Sequence, residues 1–286
     1  MKLPDEKQRL LDSIIDDLKL IDGVKAIVLG GSYAIGMATE SSDLDIGIYY
    51  SNSNPFDIEK IRQLAEKYSA TEPPTVTNFY EWGPWVNGGA WITTEKGEVD
   101  FLYKNIDQIS ATIDNAKNGI WENNFEQQPP YGFSSIIFLA ETQSSIVLYD
   151  PDGVIKTLKE SVSQYPKKLK QSVVQQSLWS AEITIWQAEK FALKNDVYNT
   201  VGCLTRAAKN IVTALFAINE IYPMGDKRAI DIIEQANHKP INLTKKINEI
   251  LCCNNSKIID IVIKLKELFK ETVDLTQGAY KSYYKL

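Results

Sequence analysis

The chain has 286 residues, with 31 Lys and Arg against 37 Asp and Glu, and a formal net charge of -6. That length accommodates a sizeable core and more naturally two domains than one, while the charge argues against a broad basic nucleic-acid surface. Cys203, Cys252 and Cys253 have neither the number nor the spacing of a disulfide framework or a zinc site; with no secretory leader and no apolar run of membrane-spanning length, the chain reads as cytoplasmic.

After a polar start, residues 5 to 21 place Leu10, Leu11, Ile14, Ile15, Leu18 and Ile21 at helical spacing. Gly23 ends that helix, and Val24 to Leu29 reads as a buried strand. Gly30-Gly31-Ser32 follows, then a small-rich stretch to Thr39 that predicts one or two helical turns. Ser41 and Ser42 introduce a strand from Leu44 to Tyr50. Pro55 opens a helix over 56–69, with Phe56, Ile58, Ile61, Leu64 and Ala65 turned to a core. Beyond Pro73-Pro74, extended pieces are expected at 75–79, 90–93 and 98–103, and a helix over 106–118. This alternation predicts an α/β or α+β nucleotide-binding domain.

The second half changes character. Helices are expected over 132–143, 155–160, 166–193, 196–220, 226–236, 241–252 and 256–276, with one strand-like piece near Ile146 to Tyr149. In the longest apolar segment, Val197, Val201, Leu204, Ala208, Ile211, Val212, Leu215 and Phe216 make one face of a bundle helix. The loop from Asn123 to Tyr131, with Gln127-Gln128-Pro129-Pro130, marks the boundary. The expected organisation is therefore α+β: a sheet-bearing domain over 1–125, then a helical domain over 126–286.

Chemistry concentrates at Gly30-Gly31-Ser32 and Asp43-Leu44-Asp45, with a third acid, Asp100, in the apolar run Val99-Asp100-Phe101-Leu102. Acids two apart on a strand share a face, while Leu44 and Ile46 point to the other. Two carboxylates held that closely call for a cation, and hard oxygen ligands suit Mg2+. Gly30 and Gly31 let backbone approach a phosphate, and Ser32 adds a hydroxyl near the start of the following helix. Together these residues can hold Mg2+ against ATP or another nucleoside triphosphate, with Asp43, Asp45 and Asp100 as ligands.

In these positions the chain resembles the DNA polymerase beta-like nucleotidyltransferase superfamily: Gly30-Gly31-Ser32-Tyr33-Ala34-Ile35-Gly36, Ser41-Ser42-Asp43-Leu44-Asp45-Ile46, and Asp100. The resemblance, over about residues 24 to 103, implies a mixed sheet and Asp43 and Asp45 as metal ligands. Asp100 would be a third ligand or the activator of the acceptor hydroxyl. Two further segments, Glu81 to Gly89 and Val147 to Gly153, resemble a bacterial branch near the aminoglycoside and lincosamide nucleotidyltransferases. In that group the helical domain closes the cleft and supplies acceptor-binding groups.

Other residues carry a functional reading beside a plain one. Phe79, Tyr80, Trp82, Trp85 and Trp91 surround Pro84, Asn87, Gly88 and Gly89, and could stack on a nucleobase or acceptor ring or simply seal a domain edge. Glu81 in that loop and Glu141 on the helix 132–143 are candidate catalytic acids; the alternative for Glu141 is an exposed helix position. Arg206 and Lys209, three apart and beside Asn210, share a helix face that could reach phosphates, as could Lys227 beside Arg228; otherwise they are solvated charges. His238, the single histidine, reads as exposed at a helix end, so no Ser-His-Asp chemistry is expected. Tyr280, Tyr283 and Tyr284 could pack on the bundle or on a second subunit. Cys203 fits an apolar bundle interior.

The expected activity is Mg2+-dependent transfer of a nucleoside monophosphate, AMP from ATP, to a hydroxyl of a small molecule such as an aminoglycoside or lincosamide, with release of pyrophosphate. The alternatives are a tRNA end or a protein as acceptor, and a nucleotide-binding module without activity. The expected partners are the triphosphate and the acceptor, with no membrane; nucleic acid is disfavoured by charge, and a homodimer remains open.

Overall fold

In the computed structural model, which describes residues 3–128, 130–252 and 257–286, the first helix is α1 (Asp5–Leu18). Pro4 precedes it, Asp5 and Glu6 complement the dipole of its first turn, and Leu11, Ile14 and Leu18 are buried as their spacing requires. The chain continues through β1 (Ala26–Leu29), the single turn α2 (Gly31–Ala34), β2 (Leu44–Tyr50) and α3 (Ile58–Tyr68). α3 starts at residue 58 rather than 56 because Asp57 caps it, its carboxylate accepting from the Glu59 N–H at 2.9 Å. Next come β3 (Thr75–Val76), β4 (Gly89–Thr94), β5 (Gly97–Asn105) and α4 (Ile106–Lys117), then β6 (Asn123–Asn124), β7 (Phe133–Ser134), α5 (Ile137–Ser144), β8 (Ile146–Tyr149) and α6 (Val154–Ser161). The remainder is α7 (Lys167–Ala192), α8 (Val197–Ile218), α9 (Ala229–Glu234), α10 (Leu243–Leu251) and α11 (Ile258–Asp274). Pro129 of the expected linker and Cys253 lie outside the described residues.

The chain divides into two units, Met1–Asp114 with Phe138–Gln164, and Asn115–Ile137 with Tyr165–Leu286. A single cut between 125 and 126 does not describe this division, because the chain returns to the first unit after Ile137. Its six-stranded sheet has the order β3-β4-β5-β2-β1-β8. β2 and β5 run parallel and the other neighbours antiparallel, so the sheet is mixed. β8 pairs with β1 at the sheet edge, a non-local partnership that a four-residue apolar run does not announce.

One face of this sheet is dry. Leu44, Ile46, Ile48 and Tyr50 of β2, Val99, Phe101 and Tyr103 of β5, and Ala90 and Ile92 of β4 are buried in one core with Leu11, Ile14 and Leu18 of α1 and Ile61, Leu64 and Ala65 of α3. By the strand period of two, Asp45, Gly47 and Tyr49 and their partners Asp100, Leu102 and Lys104 stand on the opposite face.

The second unit is built on α7, α8 and α11, which pack along one another. α8 is long and apolar enough to cross a membrane by length and composition, which the sequence reading did not anticipate; 56% of its most apolar 18-residue stretch is buried. Leu204, Ala208, Ile211, Leu215 and Phe216 are buried as their periodicity requires, whereas Val197 at the helix start is exposed. The unit is not wholly helical. β6 and β7 pair antiparallel, Asn123 with Ser134 and Asn124 with Phe133. That ribbon occupies the expected boundary loop and delays α5 to Ile137. Two of the three C-terminal tyrosines pack on the bundle, while Tyr283 is exposed: the Tyr280 hydroxyl donates to the fully buried Glu182 on α7, the Tyr284 N–H donates to Glu182 Oε1 at 2.6 Å, and Tyr284 stacks on Trp186.

Candidate active site

The site forms where β1 ends. The backbone leaves the buried run Ala26–Leu29, and the Gly30 N–H donates to the Asp45 carbonyl at 2.8 Å, clamping the turn against β2. Gly31 then takes a left-handed φ of +55°, and a Cβ there would lie 1.7 Å from Asp45 Oδ2. The glycine is thus required twice, for its dihedral and for the closeness of the carboxylate. Asp45 is the register partner of Asp100 on the parallel strand β5, so both carboxylates stand on one sheet face at adjacent strands. Asp43 differs: it lies just before β2 and is exposed.

The loop that delivers Asp43 is held by a residue that the sequence reading missed. Lys7 on α1 is only 8% exposed. Its ammonium donates to the Ser42 carbonyl at 2.6 Å and the Glu40 carbonyl at 3.0 Å, with the Tyr33 hydroxyl 3.5 Å away. The available signal was periodicity: residue 7 falls on the same helix face as Leu11, Ile14 and Leu18, where a lysine needs a buried partner.

The next strand brings aromatic surface to the same row. Trp91 on β4 pairs in register with Asp100, and Trp82 stacks on Trp91 with ring centroids 4.5 Å apart at 25°. The loop carrying Trp82 is fixed from beneath. Asn87 Oδ1 accepts from the Asn105 N–H at 2.6 Å, Asn87 Nδ2 donates to Gln108 Oε1 at 2.7 Å, and Gln108 Nε2 donates to the Pro84 carbonyl at 2.7 Å. Trp85 packs edge-on to Phe138 of α5.

Residues 11–84 match the family described as nucleotidyltransferase domain. Over these residues the chain is similar to nucleotidyltransferase domains. An enzyme of that class, as expected from the sequence, is therefore the reading that stands. The match includes the glycine-serine turn, Asp43 and Asp45, and stops short of Asp100. Residues 137–227 match a second family, a domain of unknown function (DUF4037). Among solved structures, a nucleotidyltransferase-like protein from Exiguobacterium sibiricum aligns over 95% of this chain and 76% of its own, with 10% identity and a TM-score of 0.47. Comparison with curated proteins gave no match.

Domains of this family work with a nucleoside triphosphate and a divalent metal. Among the described residues, no three His, Cys, Asp or Glu side chains are gathered into a metal-holding group. Of the three expected acids, Asp45 and Asp100 stand on the strand pair and Asp43 on the loop before β2. Asp45 and Asp100 alone still fit: Mg2+ is commonly held by one or two carboxylates, the remaining positions going to water and substrate phosphate.

Glu81 and Glu141 each engage a partner of their own. Glu81 Oε2 accepts from the Asn78 N–H at 2.8 Å and from Asn78 Nδ2 at 3.1 Å, closing its own turn. Glu141 on α5 pairs with Lys104 at 2.7 Å. Lys104 follows Asp100 by four residues on β5, and its Cγ lies 3.7 Å from where a Cβ on Gly47 would stand. Burial, with the Glu141 charge adding, pushes the pKa of the Tyr49 phenol above its ordinary range.

Within the second unit, Arg206 and Lys209 share a helix face as their spacing predicts, both lying over the Phe125 ring at 5.8 and 5.9 Å. Lys209 Nζ also donates to Asn123 Oδ1 at 3.3 Å and lines a cavity of about 360 Å³ with Asn123, Ser134, Phe216 and Asp226. Burial holds its ammonium below the usual lysine range, the Asp226 charge opposing and the Arg206 charge reinforcing that shift. Lys227 is exposed just before α9. Asn210 Nδ2 donates to Ser180 Oγ at 3.0 Å, which gives it a bundle role. His238 is exposed, its backbone bonded to the Asn219 amide.

Proposed function

We propose that the chain transfers a nucleoside monophosphate, AMP from ATP, to a hydroxyl group of a small molecule. The observation that carries this reading is the row on one sheet face: the Gly31 turn packed on Asp45, and Asp45 in register with Asp100. Gly31 and Ser32 would take the β- and γ-phosphates, and Asp45 with Asp100 would hold Mg2+, Asp43 joining from its loop. The cation would offset charge on the phosphates when bound.

In the reaction the acceptor oxygen bonds to the α-phosphorus while the bond from that phosphorus to the α–β bridging oxygen breaks. Pyrophosphate leaves, and the acceptor proton passes to the Asp100 carboxylate. A phosphate contact for Arg206, Lys209 and Lys227 rests on their charge and spacing, while an acceptor-binding role for the helical unit, and an aminoglycoside or lincosamide as acceptor, rest on the resemblance to antibiotic nucleotidyltransferases.

The test is incubation with Mg2+, each ribonucleoside triphosphate labelled on its α-phosphate, and separate pools of small molecules, RNA and cell protein. Label on a small molecule with wild type and none with Asp45→Asn is the expected result. Label on RNA or protein would reassign the acceptor. Equal labelling by the variant would remove Asp45 from the reaction.

A further inference from the structure

We infer that the stacked indoles of Trp82 and Trp91 are the acceptor platform, and that the acceptor is a small molecule presenting a ring face beside its reacting hydroxyl. This rests on the transfer reaction proposed above and adds the side from which the acceptor enters and the chemistry that selects it.

The argument is one of order across the sheet. Passing from β1 through β2 and β5 to β4, one face carries the Gly30–Ser32 turn, then Asp45, then Asp100, then Trp91. Neighbouring strands are about 4.8 Å apart, so Trp91 begins about 5 Å beyond Asp100 and about 10 Å beyond Asp45. Attacking and leaving oxygens lie roughly in line through the phosphorus in nucleotidyl transfer. With pyrophosphate leaving over Gly31 and Ser32, the attacking hydroxyl comes from the opposite side, where β5 gives way to β4. Trp91 and Trp82 stand there.

The indoles are shaped for this task. Trp91 Cη2 would lie 3.2 Å from a Cβ on Gly89, so the ring runs over a position without a side chain. Trp82 covers Trp91 and is itself 47% exposed, on the sheet face opposite the dry core. Asn87, Asn105 and Gln108 hold the loop from below, so the stack exists before any ligand arrives and little ordering is spent on binding. A sugar or heteroaromatic ring laid on it would bring its hydroxyl toward Asp100. The serine or threonine side chain of a protein offers no such ring.

The experiment compares wild type with Trp82→Ala, Trp82→Phe and Trp91→Leu. Each is given Mg2+, the four α-labelled triphosphates, kanamycin, lincomycin, adenosine and a deproteinised bacterial extract, and ATP affinity is measured separately by calorimetry. The expected result is label on a ring-bearing small molecule, an acceptor KM about tenfold higher in Trp82→Ala, recovery in Trp82→Phe, and unchanged ATP affinity. Transfer with the same acceptor KM in Trp82→Ala and Trp91→Leu overturns the platform and leaves the transfer reaction standing. An acceptor without a ring does the same. No transfer from any triphosphate removes the reaction and the platform with it.

Discussion

Asp45 Oδ2 occupies the space that a side chain on Gly31 would need: a Cβ there would come within 1.7 Å of it. The turn that would receive phosphate and the carboxylate that would hold metal are therefore one packed object. Gly31→Ala must displace the acid and also populate φ near +55°. The expected outcome is a stability loss of about 1 kcal/mol with a fall in turnover of about a hundredfold. Thermal melting and label transfer measured on the same preparation check both parts.

Asp45 and Asp100 are like charges at register positions on adjacent strands, and like charges so placed destabilise unless a cation intervenes. Asp45→Asn and Asp100→Asn each remove one of the two like charges. Mg2+ should raise the melting temperature of wild type and leave both variants unmoved. An equal rise in all three would take the cation away from this pair.

Lys7 ties α1 to the carbonyls of Glu40 and Ser42, one residue before Asp43. Lys7→Met keeps the stem and removes the donors, leaving two carbonyls short of a partner. A loss of about 1–3 kcal/mol is expected, with turnover falling more than ATP affinity. Urea unfolding and steady-state kinetics distinguish this from a purely structural role, which would leave turnover of the folded protein intact.

The Lys104–Glu141 pair is half-buried, with side-chain exposures of 15% and 34%. Glu141→Gln should cost about 1–2 kcal/mol by leaving the ammonium poorly matched. The double change Lys104→Met with Glu141→Leu should recover most of it. If Glu141→Gln instead abolishes transfer without altering the melting temperature, Glu141 belongs to the reaction.

Asp17 on α1 accepts from Lys67 Nζ at 2.5 Å and from the Tyr68 hydroxyl at 2.6 Å on α3. The Lys67 bond first, then the Tyr68 bond, lower its pKa below the ordinary 3.8. A carboxylate with a depressed folded pKa contributes stability above its unfolded value and loses it as pH falls through the folded one. Wild type should therefore lose about 0.5–1 kcal/mol more than Asp17→Asn on acidification below that value. Unfolding followed at several acid pH values would show the two curves converging.

Much of this molecule was legible in its sequence because the signals were local. The helical faces of α1 and α8, the strand β2 from Leu44 to Tyr50, and the glycine turn before two spaced acids each depend on residues within one element, where periodicity and steric freedom act. The ribbon β6–β7 was not legible, since two-residue strands carry no period. Nor was the employment of Glu81 and Glu141, because a carboxylate's partner is set by which strand or loop lies opposite it.

The sequence by itself determined the alternation of elements, the class of domain and the acids and glycines that mark its chemistry, since each follows from spacing along the chain. Only the tertiary structure decided that β8 returns to the first sheet, that Lys7 braces the acid loop, and that Trp91 stands next to Asp100 while Asp43 stays outside the pair. The reason is strand register: which residues share a rung depends on hydrogen bonding between distant segments, and that pairing is chosen by burying one whole sheet face at once.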